Sequence, residues 1–140
     1  MNTDHTTPYA ALLLRLSLGV MFIAHGLLKV FVFTLPGTVQ FFESIGYPGF
    51  MAYAVVIAEV GGGLLLISGL YARWVALALV PVLLGALQVH LGNGWLFTAQ
   101  NGGWEYPAFL TVAALVQFLL GDGAYAFKLP VLHRTEEASA

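Results

Sequence analysis

Apolar residues run along this chain in four long blocks, each interrupted by a few polar residues and each closed by glycine, proline or an aromatic loop. No block holds 18 uninterrupted apolar residues, yet four in succession with aromatic residues at their ends fit a set of membrane-crossing helices. The pattern predicts helices over residues 9–33, 49–70, 73–91 and 104–120. Pro8 suits the first turn of the first helix, and Leu35-Pro36-Gly37 ends it. Thr38 then caps a short helix over 38–45, whose apolar side (Val39, Phe42, Ile45) lies at the membrane interface until Gly46-Tyr47-Pro48 stops it. Pro81 predicts a kink in the third helix. Gly92–Gly103 is a glycine-rich loop whose Trp95 and Phe97, with Trp104 beyond, suit the headgroup layer, and Gly121-Asp122-Gly123 closes the fourth helix. Short polar tails flank the whole. The expected fold is all-α: one integral membrane four-helix bundle over 1–140, with a short interfacial helix between helices 1 and 2.

The polar interruptions are not scattered. Arg15, Gly19, Phe22, Gly26 and Lys29 fall on one stripe of the first helix, at steps of four, three, four and three. His25 lies four residues before Lys29. A charge in hydrocarbon costs roughly 2.5–3.5 kcal/mol on insertion scales, so such groups should face protein or water and have partners. Depth suggests which. At about 1.5 Å per residue, Lys29 is roughly 6 Å, His25 roughly 12 Å and Glu59 roughly 15 Å from the same membrane face. A Glu59–His25–Lys29 cluster is the simplest pairing. His90 and Glu105 form a second, shallower pair, with Gln88 between the two levels. Ala58 and Gly62, with Gly61 and Gly63, give the second helix a close-packing face.

Each site has a plain alternative. Arg15 and Arg73 are expected to snorkel to headgroups, and Lys29 can do the same outward. Glu59 is too short to reach water, so it either lines a functional cavity or holds helices 1 and 2 together as an ion pair. His90 and Glu105 can serve simply to fix the loop, and Trp95, Trp104 and Tyr106 to anchor at the interface.

Composition agrees with the membrane assignment. The chain has 140 residues, 59% hydrophobic and 9% charged, against about 25% charged in soluble domains. The net charge of −2 without a basic block argues against nucleic-acid binding. With no cysteine, thiol relays, thiolate iron–sulfur ligation and a zinc–thiolate site are excluded, and no metal site is expected. Met1–Pro8 holds Asp4 and no Lys or Arg, so the first helix is expected to be retained rather than cleaved as a signal peptide. Arg15, Arg73, Lys128 and Arg134 fall on the side of the termini and only Lys29 on the other, which predicts a multi-pass protein of the inner (plasma) membrane with both termini cytoplasmic. Arginines (Arg15, Arg73), histidines (His25, His90) and Tyr-Pro pairs (Tyr47-Pro48, Tyr106-Pro107) recur in the two halves. Two duplicated hairpins, or chance similarity between hydrophobic hairpins, would explain them.

Arg15 of the first helix with Gly26 and Lys29 in the phrase HGLLK, the loop FFESIGYP, Glu59 within AEVGGGLLLISGLYAR, Arg73, and the late phrases GGWEYP and LGDGAYAF come in an order that resembles the DoxX family of small four-helix membrane proteins, over roughly Leu12–Phe127. The resemblance implies a membrane subunit associated with redox chemistry. The family takes its name from a subunit of an archaeal thiosulfate:quinone oxidoreductase, and other members are linked to oxidative or electrophile stress, often beside redox partners. Lys29 and Glu59 match its intramembrane polar positions. Three functions follow as expectations. In a quinone-linked accessory subunit, His25 or Lys29 donates a proton, Glu59 relays it and a redox partner protein or cofactor takes electrons. Haem held between His25 and His90 is one option. A non-enzymatic module would bind a small lipophilic ligand, hold a partner or pair as a homodimer through Gly61–Gly63. A proton-coupled transporter would titrate Glu59.

Overall fold

The computed structural model describes residues 3–130, so Arg134 and most of the polar C-terminal tail lie outside it. Every regular element among the described residues is helical: α1 (Thr3–Phe31), α2 (Leu35–Ser44), α3 (Phe50–Ser68), α4 (Ala72–His90), a single 3-10 turn (Leu91–Asn93) and α5 (Glu105–Leu120). Three helices are long and apolar enough to cross a membrane, over His5–Phe31, Phe50–Ser68 and Ala72–Asn93. The fourth expected crossing, α5, is apolar but has 16 residues, about 24 Å against a hydrocarbon core of about 30 Å. Pro81 sits inside α4 without interrupting it.

α1 begins earlier than its apolar pattern, at Thr3 rather than Tyr9, because Pro8 is accommodated within a helix whose polar first turns precede the bundle. The cap of the short helix is also one turn earlier than expected. Thr34, not Thr38, accepts the Gly37 N–H. Thr38 is buried, and its hydroxyl donates to the carbonyls of Lys29 at 3.0 Å and Thr34 at 2.9 Å, tying α2 to the end of α1. Thr38 cannot be the cap because it already lies inside the helix, its own N–H donating to Thr34 O at 2.9 Å.

The polar stripe of α1 is the seam against α3. The two helices run antiparallel with Arg15 beside Leu66 and Ile67, Gly19 beside Gly63, Gly26 beside Glu59 and Val60, and Lys29 beside Glu59. Glycines at the crossing let the backbones approach, which is how association is won where lipid is as apolar as the helices. Around it, Leu18, Phe22, Leu66, Ala72, Ala76, Leu79, Leu83, Ala113 and Ala114 form the buried core shared by four helices. A methyl added at Gly63 would lie 2.7 Å from the Gly19 carbonyl oxygen and 2.6 Å from Ile23 Cγ1, whereas one at Gly61 meets open space. Gly63→Ala is therefore expected to cost about 1–3 kcal/mol through overpacking, with Gly61→Ala near neutral. Thermal unfolding of the two variants in detergent checks this.

Arg15 does not snorkel to headgroups. It is 1% exposed, and Nη1 donates to the Leu66 carbonyl at 3.0 Å and to that of Ile67, while Nη2 donates to Ala124 O at 2.8 Å. Phe127 N–H donates to Ser68 O at 3.0 Å and Ala124 N–H to Pro8 O at 2.9 Å. The carbonyls left open by the last turn of α3 are thereby closed by one guanidinium and one returning segment, 121–127. A snorkelling arginine would have left Ile67 O without this donor and Leu66 O with only the Gly69 N–H at 3.2 Å. Arg73 is exposed as expected, but it repeats the device on the other hairpin. Its Nε donates to Phe118 O at 3.0 Å and its Nη2 to Leu119 O at 3.5 Å, at the end of α5.

Candidate functional site

Two polar centres lie toward the end of the bundle opposite the termini. The first is the ion pair between α1 and α3. Lys29 Nζ donates to both oxygens of Glu59, at 2.9 and 2.8 Å, and the side chains are 20% and 8% exposed. Gly26 makes room for it, since a Cβ there would meet Glu59 Cβ at 3.3 Å. Lys29 stands in the last turn of α1, where the open carbonyls of the helix favour a cation. Both carboxylate oxygens of Glu59 are thus engaged by one ammonium.

His25 does not join that pair. Successive residues on a helix point about 100° apart, so His25, next to Gly26 of the stripe, is turned from α3 toward α5. Its Nδ1 hydrogen-bonds the Met21 carbonyl at 2.7 Å, and its ring stacks on Tyr106 with centroids 5.9 Å apart. The His90–Glu105 pair is not formed either. His90 Nδ1 bonds the Gly102 carbonyl at 2.9 Å, which Asn93 Nδ2 also meets at 2.9 Å. Glu105 Oε1 accepts the Phe97 N–H at 2.9 Å. Each thus fixes the glycine-rich loop separately, because backbone donors and acceptors lie closer to them than they do to each other. Trp95 and Trp104 meet edge to face at 4.5 Å in the same loop. Gln88 is exposed and accepts from the Tyr47 hydroxyl at 2.8 Å, linking the turn before α3 to α4.

The second centre is a pocket of about 460 Å³ lined by His25, His90, Phe97, Gly103, Tyr106 and Pro107. Its walls are mainly apolar, and its polar groups are of a definite kind. A carbonyl oxygen can only accept, so each histidine carries its proton on Nδ1. In the neutral ring that leaves Nε2 as a bare acceptor. The Tyr106 hydroxyl is buried and has no hydrogen-bond partner. An unpaired buried hydroxyl costs about 1–3 kcal/mol until something binds it. The pocket is thus lined by two imidazoles whose Nδ1 atoms are already spent and by the Tyr106 ring, with the Tyr106 hydroxyl enclosed in its wall.

Sequence reasoning placed Tyr106 at the interface and missed its part in this pocket. The available signal was level: His25 near the end of α1 and Tyr106 at the start of α5 reach the same end of the bundle. Among the described residues no group of three or more His, Cys, Asp or Glu side chains could hold a metal ion.

A family model described as DoxX matches residues 10–98. The Bacillus subtilis (strain 168) protein named "Putative oxidoreductase CatD" is 45% identical over 76 residues, which are 54% of this chain and 55% of that protein. The chain's match thus spans about half the length of that relative. The Escherichia coli (strain K12) "Inner membrane protein YqjF" is 38% identical over 118 residues, covering 82% of this chain and 86% of that one. No solved structure matches.

Proposed function

This chain belongs to the DoxX family, and from that premise we propose that it is a redox-associated accessory subunit of the inner membrane that binds a quinol-type aromatic ring between α1, α4 and α5. The carrying observation is that His25 and His90 both spend Nδ1 on backbone carbonyls while lining one apolar pocket with the unpaired Tyr106 hydroxyl. A ring bearing two hydroxyls would supply a donor for each bare Nε2, and an acceptor for Tyr106 once its enclosed hydroxyl turns toward the ligand. The rings of Phe97 and Pro107 give its faces an apolar slot. Oxidation of such a ligand releases two protons and two electrons. In this reading the histidine Nε2 atoms take the protons, and the electrons pass to a redox partner protein. The closed Lys29–Glu59 pair is structural in this reading, so the proton role expected of Glu59 moves to the histidines. Both termini lie in the cytoplasm. Arg73 and Lys128 support that side, whereas buried Arg15 faces protein rather than lipid headgroups.

The test is binding of a short-chain benzoquinol to the purified protein, kept reduced without oxygen and read by tryptophan fluorescence. Saturable binding is expected. Tyr106→Phe and His25→Leu should each weaken it about five- to tenfold, the worth of one buried hydrogen bond. The dimethyl ether of the same ring, which has no hydroxyl to donate, should bind worse than the quinol. No saturable binding, or equal binding of quinol and ether, rejects the reading.

A further inference from the structure

We propose that the opposite end of the bundle, where both termini lie, carries a binding site for the phosphate of an anionic glycerophospholipid. A hollow of about 320 Å³ opens between the start of α4 and the segment after α5, lined by Tyr71, Arg73, Trp74, Gly121, Asp122 and Lys128. Two cations face it. Arg73 spends Nε and Nη2 on the end of α5, which leaves Nη1 without an acceptor among the described residues. Lys128 has no protein partner among them. The one carboxylate, Asp122, is already engaged: its Oδ1 accepts the Arg73 backbone N–H at 2.9 Å and so closes the start of α4. Tyr71 and Trp74 are 57% and 59% exposed at the same level. α3 ends at Ser68, α4 starts at Ala72 and α5 ends at Leu120, so the hollow sits where the helices leave the hydrocarbon. Amphipathic rings there favour the headgroup layer. A phosphodiester with acyl chains places its charge between Nη1 of Arg73 and Nζ of Lys128 and its tails along the exposed face of Trp74.

The test uses the full chain in neutral detergent, titrated with phosphatidylglycerol, phosphatidylcholine or inorganic phosphate, with retained lipid counted by native mass spectrometry. Phosphatidylglycerol is expected to bind at least about fivefold tighter than phosphatidylcholine, and Lys128→Gln to weaken it about fivefold, the worth of one cation near the surface. Lys128→Arg should restore it. Because the Lys128 side chain has no hydrogen-bond or ion-pair partner among the described residues, its variants should unfold at the same temperature as the parent without lipid. Equal binding of the two lipids, or no loss in Lys128→Gln, overturns the proposal. Full displacement of phosphatidylglycerol by inorganic phosphate at matching concentration also overturns it, because a soluble anion would then be the ligand.

Discussion

Arg15→Ala is expected to destabilise the protein by about 3–5 kcal/mol, one of the largest single-residue effects in the chain. The substitution removes the guanidinium from the carbonyls of Leu66, Ile67 and Ala124, of which Leu66 O keeps only the Gly69 N–H at 3.2 Å, and empties the space of a side chain that is 1% exposed. Unpaired carbonyls in the interior cost about 1–3 kcal/mol each when nothing replaces the donor, although such terms do not add fully. Arg15→Lys keeps the cation but brings one ammonium in place of a fork, so it should fall between parent and alanine. The measurement is thermal unfolding in detergent together with limited proteolysis after residue 120. If Arg15 is the clasp of the returning segment, cleavage there should appear in Arg15→Ala before global unfolding. An alanine variant within about 0.5 kcal/mol of the parent, with the segment still resistant, would show that the guanidinium is dispensable.

That residue also marks where the sequence was legible and where it was not. Periodicity alone put Arg15, Gly19, Gly26 and Lys29 on one stripe, and the structure uses that stripe as the seam with α3. Helix positions followed from the apolar blocks to within a few residues, except at the start of α1. The Lys29–Glu59 contact could be placed from depth because both groups sit on helices that must turn polar atoms inward. What depth could not give was direction around the helix. His25 is level with Glu59 but stands next to Gly26 of the stripe, about 100° round the helix, and so faces α5. Arg15 was misplaced for a different reason: snorkelling assumes a lipid surface beside the residue, whereas the partner was the end of α3 and a segment more than a hundred positions away in sequence.

The two halves share more than the recurring arginines suggested. Arg15 closes the end of α3 and Arg73 the end of α5. Each of those helices is followed by Gly-x-Tyr-Ala, at Gly69–Ala72 and Gly123–Ala126. The glycines take φ of 78° and 79°, and the tyrosines 51° and 54°. A non-glycine residue in the left-handed region is uncommon, so its recurrence at the tyrosine of both phrases supports two copies of one hairpin, with the second phrase starting two residues beyond Gly121, the residue that ends α5 as Gly69 ends α3. The copies diverge at the other end. The first hairpin places Lys29 and Glu59 there, and the second places His90, Tyr106 and the glycine-rich loop. Duplication thus accounts for a common clasp at one end and leaves two different polar centres at the other.

Those two centres separate in the second large effect. Glu59→Ala is expected to cost about 2–4 kcal/mol, because it strands the Lys29 ammonium beside α3. The value is below that of a fully buried pair because the 20% exposed lysine can partly swing outward. Glu59→Gln keeps an acceptor and should cost roughly half as much. The exchange of both residues, Lys29→Glu with Glu59→Lys, should recover part of the loss, and a double-mutant cycle on unfolding temperatures measures the coupling. The same variants discriminate between roles for Glu59. If the carboxylate only joins α1 to α3, Glu59→Gln should bind quinol with a dissociation constant within about twofold of the parent, since His25, His90 and Tyr106 line the pocket without it. If it relays protons for the pocket, binding can survive, but any turnover with a redox partner should collapse in Glu59→Gln while stability falls only modestly. Loss of stability with unchanged turnover supports a structural bolt. Loss of turnover in a stable variant returns the proton path to the ion pair and requires that the Lys29–Glu59 contact open during the reaction.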